Sequence, residues 1–176
     1  MRNRQFQPFR VSAPGRICLF GEHSDYLGFD VIAAAIDMTI DIVATPRKDN
    51  EVRITYSDLG ESDSFSLGSE IEYRNKRDYV RSTLNVMRRK NIIPNQGANL
   101  KISGNIPIAA GLSSSSALTV GAIMVVARIS GVEMKQEEIA LTAYDAEVAE
   151  FGESGGNMDH YASAFGRIIH VDMKEN

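Results

Sequence analysis

The segment from about 115 to 130, SSALTVGAIMVVARIS, is apolar almost all the way round. Drawn as a helix, it spreads Ala117, Leu118, Ala122, Val125, Val126 and Ile129 around its circumference instead of along one stripe. Such a helix is stable in water only when it is buried on most sides, so the remaining chain must supply covering layers. Thr119, Gly121 and Arg128 interrupt the run. It therefore falls short of the ~18 uninterrupted apolar residues of a membrane span.

The covering elements are legible upstream and downstream. RICLF (16–20) is a short apolar run ahead of the turn-like GEHSDYLGFD. VIAAAID and TIDIVATP pass from a continuous apolar stretch into alternation, with Ile40, Ile42 and Ala44 on one face. EVRITYS (51–57) alternates Val52, Ile54 and Tyr56 as a half-buried strand does, SDLGES is a turn, and DSFSL (63–67) is a weaker strand signal. A helix is expected from about Lys76 to Lys90, with Val80, Leu84 and Met87 on one face, the arginines facing outward, and Asn91 and Pro94 ending it. ANLKISG (98–104) alternates again. After the buried helix, a helix over 135–150 carries Ile139, Ala143, Ala146 and Ala149 on one side, a short helix begins near Met158, and RIIHVDM (167–173) is a strand. Strands first and helices afterwards predict a two-layer α+β domain, its helices packed on a mixed or antiparallel sheet.

The 176 residues suit one domain with a substantial core. A net charge of -4 leaves no basic patch for nucleic acid. The start, MRNRQFQPFRVS, lacks the apolar run of a secretory signal, so neither nucleic acid nor membrane is an expected partner. The single cysteine, Cys18, excludes an internal disulfide and fits a reducing, cytoplasmic location; its apolar run makes it a buried, inert thiol.

Three polar clusters interrupt this pattern. PIAAGLSSSS (107–116) joins a strand to the buried helix. Free N–H groups and the helix dipole make that junction an anion site, small residues admit a phosphate, and hydroxyls add donors or a metal ligand. The same letters also describe a serine-rich helix cap, and no Walker lysine is nearby. GRICLFGEHSDYLG (15–28) gathers Arg16, Glu22, His23 and Asp25 around glycines, as a site for several sugar hydroxyls requires; a polar surface turn has the same composition. AEVAEFGESGGNMD (146–159) closes a helix with Glu147, a potential Mg²⁺ ligand, and leads through Gly155 and Gly156 to Asp159. Alternatively Glu147 and Glu150 are solvated helix charges and Asp159 is the N-cap of the next helix.

Taken together and in this order, the clusters resemble the galactokinase, homoserine kinase, mevalonate kinase and phosphomevalonate kinase (GHMP) superfamily, and within it the galactokinase branch. The galactokinase signature appears as GRICLFGEHSDYLG, with Cys18 for the usual Asn. The phosphate motif appears as PIAAGLSSSS, with Ala109 at its first glycine. A third galactokinase segment appears as AEVAEFGESGGNMDH, with His160 for Gln and Gly155 for the usual Cys. The resemblance runs from about Ser12 to Asp159.

The resemblance implies an ATP-dependent kinase domain acting on the anomeric hydroxyl of galactose or a related sugar, with ATP and Mg²⁺. Asp159 matches the base, and Arg16 the arginine that steadies the phosphoryl charge and the ionised aspartate. Glu22, His23 and Asp25 match the sugar ligands and Gly156 a backbone contact near the base. Ala110, Gly111, Leu112, Ser113, Ser114 and Ser115 match the phosphate loop, and Ser115 and Glu147 the Mg²⁺ ligands. His160 and Gly155, beside the base, are expected to bear on which sugar fits. A catalytically silent sugar- and ATP-binding regulator on the same scaffold is the alternative, as is a kinase for another sugar or sugar derivative. The family's C-terminal domain matches nothing in 1–176, so the chain is read as part of a longer kinase, with a short gene product as the alternative. Exposed apolar surface would then favour self-association or pairing with that domain.

Overall fold

The computed structural model describes residues 7–107 and 110–172. Ala109 of the phosphate motif and Met173 of the last expected strand therefore lie outside the described residues. Six strands, β1 (Phe9–Phe20), β2 (Val31–Pro46), β3 (Glu51–Tyr56), β4 (Glu61–Ser66), β5 (Ala98–Gly104) and β6 (Ile168–Val171), form one sheet. Its order is β1-β2-β5-β3-β4, with β6 added on β2. The β3–β5 pair is parallel and the other pairs are antiparallel. Helices α1 (Tyr79–Arg89), α2 (Ser114–Ser130), α3 (Gln136–Glu147) and α4 (Met158–Phe165) supply the second layer, so the α+β expectation holds.

α2 is the hub. It touches β1 and β2 on the sheet and α1, α3 and α4 in its own layer. Ala117, Val120 and Ile123 are fully buried. Close approach to the sheet is set by Gly121, where a Cβ would stand only 3.2 Å from the Ile42 side chain. The helix stops at Gly131, whose φ of +70° suits glycine.

Several sequence expectations change in detail. β1 starts at Phe9 and not at Arg16. Pro14 and Gly15 carry turn propensity, but Pro14 sits on an outer strand of the sheet, where a missing N–H is tolerated, and the pairing with β2 shifts register between Pro14 and Arg16. VIAAAID and TIDIVATP are one continuous strand because both of its edges are used, by β1 on one side and by β5 and β6 on the other. Ile42 and Ala44 are buried with Ile40 packed beside them, as the alternation requires.

The arginines of α1 do not all face outward. Arg81 is only 4% exposed. Its guanidinium pairs with Asp63 at 2.9 Å and Asp78 at 2.7 Å and lies over the Phe65 ring. Burial of that charge is tolerated because both carboxylates reach it. α3 ends at Glu147 instead of running to 150. Val148 takes the buried position and Ala149, in the 3-10 turn Ala149–Phe151, is exposed.

Among the described residues no helix is long and apolar enough to cross a membrane. If α2 is the hub, Ile123→Ala should lower unfolding stability by about 2–5 kcal/mol, read from urea denaturation, because the rigid surroundings cannot refill the cavity.

Candidate active site

Three elements far apart in sequence meet at the start of α2. Arg16 projects from β1 with its side chain 10% exposed, and Asp159 lies in the first turn of α4, 25% exposed. Arg16 Nε donates to Asp159 Oδ1 at 2.6 Å and Nη1 donates to the Gly111 carbonyl at 2.6 Å. The backbone N–H of Arg16 donates to the Leu112 carbonyl at 3.1 Å. Gly15 makes this approach achievable, since a Cβ there would stand 2.7 Å from that same carbonyl oxygen. The Ser113 hydroxyl donates to Asp159 Oδ2 at 2.5 Å. One carboxylate is thus held by a donor on each oxygen, with lone pairs to spare.

Local backbone explains why the loop points inward. Gly111 has φ of +72° and Ser113, immediately before α2, has φ of +56° and ψ of +50°. A left-handed serine costs free energy, which the surrounding contacts offset, including its hydroxyl bond to Asp159. α4 is fixed to β1 by the Ser163 hydroxyl, which donates to the Pro14 carbonyl at 2.7 Å. Asn157, and not Asp159, is the N-cap of α4. That leaves the Asp159 side chain for Arg16.

The sugar-site expectation divides. Asp25 is buried, at the first residue of a 3-10 turn (Asp25–Leu27), and accepts from the Tyr26 N–H at 2.8 Å. Its other oxygen faces Gly156, where a Cβ would stand 2.1 Å away, so only glycine fits there. Burial, countered by the Tyr26 N–H and reinforced by nearby Asp159, raises the Asp25 pKa. Glu22 and His23 are exposed on the same turn; the His23 ring meets Tyr26 edge-on at 6.3 Å. Cys18 is half-buried, and burial followed by the Glu22 charge pushes its thiol pKa up, the opposite of a reactive cysteine.

Ala110 and Gly111 are exposed, and Leu112 packs on the core. Ser114 and Ser115 line a cleft of about 360 Å³ with Tyr56, Leu59, Tyr79 and Leu118. Those aromatic and aliphatic walls were not singled out in the sequence, because they come from β3, the β3–β4 turn, α1 and α2 and converge only on folding. Burial pushes Tyr56 up to about 12.

Glu147 is not a solvated helix charge: it is 8% exposed. Its Oε2 lies 2.9 Å from His160 Nε2, and among the described residues no lysine or arginine is within ion-pair distance. Burial and then the Glu147 charge raise the pKa of Tyr79, which lines the cleft. The expectation that His160 bears on the sugar changes accordingly. The next residue on a helix points elsewhere, so with Asp159 turned to Arg16 the His160 ring turns into the α3–α4 interface.

Because the folded protein raises the Asp25 pKa, Asp25 contributes stability that is fully present below its ordinary carboxylate range and lost as pH rises through its folded pKa. The stability of the parent relative to Asp25→Asn should therefore shift in the parent's favour as pH falls from about 7 to about 4. Urea denaturation over that range checks it; a flat difference would contradict the assigned burial.

The chain is similar to known proteins along most of its length. Residues 78–167 match the family model for the GHMP kinases N terminal domain, and residues 3–46 match the galactokinase galactose-binding signature. A galactokinase of Haemophilus influenzae (strain ATCC 51907 / DSM 11121 / KW20 / Rd) is 35% identical over 174 residues, covering 98% of this chain and 45% of the relative. One from Roseiflexus sp. (strain RS-1) is 37% identical over 163 residues, covering 92% and 41%. Lactococcus lactis galactokinase complexed with galactose superposes with a TM-score of 0.89 at 27% identity, covering 95% of this chain and 45% of that one. Methanococcus jannaschii mevalonate kinase gives 0.83 at 26%, covering 98% and 55%. The chain spans less than half the length of the curated relatives it matches. With half of its residues inside the matching model and the serine loop, arginine and aspartate converging at α2, the chain belongs to the GHMP kinase family, through its N-terminal domain.

Proposed function

We propose that this chain is the nucleotide- and sugar-binding domain, spanning 1–176, of a galactokinase-like enzyme that transfers a phosphoryl group from ATP to the anomeric hydroxyl of galactose or a related sugar. The observation that carries this reading is the Arg16–Asp159–Ser113 cluster, which joins the galactose-binding signature to the serine loop. Asp159 would accept the hydroxyl proton, and Arg16 beside it would hold the carboxylate and offer positive charge to the transferring group. Asp25, placed by Gly156, would accept from sugar hydroxyls, with Glu22 and His23 closing over the exposed side. The loop from Ala110 to Ser115 would cradle phosphates at the α2 N-terminus, and the adjoining cleft of about 360 Å³ is of a size for a nucleotide base.

The residues present fit a magnesium ion. Glu147 is buried, and among the described residues its charge is met by His160 on one oxygen and by no lysine or arginine, which leaves the other oxygen for a cation. With the Ser115 hydroxyl it would offer the few protein ligands that Mg²⁺ takes. Bound there with the nucleotide, Mg²⁺ supplies charge neutralisation on the phosphates. A lone cysteine and an ATP donor suit a reducing cytoplasm. Exposed Phe20 and Ile168, on β1 and β6, support self-association or pairing with a further domain.

Incubation of the full-length gene product with Mg-ATP and a panel of free sugars, following ADP release, should give turnover with galactose or a close relative. Sugar binding without turnover on any sugar would favour a silent regulator. Asp159→Asn should cost roughly 10²–10⁴ in kcat with sugar affinity nearly unchanged, and a loss below about tenfold would remove Asp159 as the base.

A further inference from the structure

His160 stands where the galactokinase pattern carries Gln, and its surroundings are specific. It is 2% exposed on α4, with Nε2 2.9 Å from Glu147 Oε2. Its Nδ1 is buried without a hydrogen-bond partner. If Nε2 were the acceptor, a neutral ring would bury an orphan N–H at Nδ1; with Nε2–H donating to the carboxylate, Nδ1 is a bare lone pair. Orphan buried N–H groups are the rarer of the two, so the proton is assigned to Nε2.

The ring is also boxed in. Tyr144, one turn before Glu147 on the same face of α3, meets it edge-on at 5.7 Å and 89°. The Tyr144 hydroxyl donates to the Gly155 carbonyl at 3.3 Å. The ring that holds Glu147 is therefore packed against the residue that holds the glycine turn, whose Gly156 abuts Asp25.

We propose that His160 is a positioning residue for the metal carboxylate. By donating to Oε2 it fixes the rotamer of Glu147 and leaves Oε1 as the oxygen presented to a divalent cation bound with the nucleotide phosphates. This rests on the kinase reading of the site. A carboxylate ligand oriented by a buried donor is a recurring arrangement in metal sites, and loss of the donor costs metal affinity. Gln at 160 retains an N–H donor on a flexible side chain; Met retains bulk without the donor.

The test uses the whole chain and a nonhydrolysable ATP analogue, titrated calorimetrically with Mn²⁺ and again with EDTA. The ratio of the two dissociation constants is the metal-dependent gain, and it needs no turnover. His160→Met should reduce that gain by roughly 10-fold or more while the EDTA affinity is unchanged, and His160→Gln should keep it within about threefold. A His160→Met protein with the parent's gain overturns the proposal and leaves the kinase reading standing. A parent with no gain, matched by Glu147→Gln, overturns the metal reading and the proposal with it. Should His160→Met fail to fold, long-range ¹H–¹⁵N spectra of the parent decide: an Nε2–H tautomer at His160 supports the proposal, and an Nδ1–H tautomer overturns it.

Discussion

Arg16 reaches two separate segments with one guanidinium. Nε meets Asp159, 143 residues away, and Nη1 meets the Gly111 carbonyl, 95 residues away. A charge that is nine-tenths buried must be paired or it costs several kcal/mol, so neither partner is optional. Asp159 in turn receives the Ser113 hydroxyl, and Ser113 holds its left-handed backbone at the doorstep of α2. Remove the Arg16 side chain and the loop, the strand and α4 lose the charged contact that all three share, leaving the Ser113–Asp159 and Ser163–Pro14 hydrogen bonds to join them.

The hydrophobic architecture sets where that point lies. α2 is buried by both layers, and the loop at its N-terminus is held against β1 by Arg16 and against α4 by Asp159. α4 is fastened to β1 by Ser163 and Pro14, which sets the distance over which Arg16 must act. α3 and α4 pack together, and within that interface His160 and Tyr144 brace Glu147 and the glycine turn. Core and site are thus one construction: the same helices that fill the interior carry the polar groups at their ends.

Periodicity revealed the sheet-then-helix order, the inward face of β2 and the burial of α2, because those depend on side chains within a few residues of one another. It missed the first half of β1, since Pro14 and Gly15 carry turn propensity and only the outer position of β1 tolerates them. It placed Arg81 outside, because the two aspartates that neutralise it come from β4 and the helix cap and meet it only on folding. The galactokinase-like motifs named Arg16, Asp25, Gly156 and Asp159, which the fold gathers. They did not reveal that Ser113 clamps Asp159 or that His160 faces Glu147, because both contacts are set by where helices begin and how they cross. The cleft walls at Tyr56, Leu59 and Tyr79 carried no motif at all.

The central claim is that the Arg16–Asp159 contact organises this end of the domain, and a double-mutant cycle measures it directly. Urea unfolding of the parent, Arg16→Met, Asp159→Asn and the double variant gives the coupling energy between the two side chains. The account predicts strong non-additivity, with a coupling of about 1–3 kcal/mol, because each single change strands the other group in a largely buried setting. Losses that add to within about 0.3 kcal/mol would mean the two groups do not depend on each other, and would contradict the account.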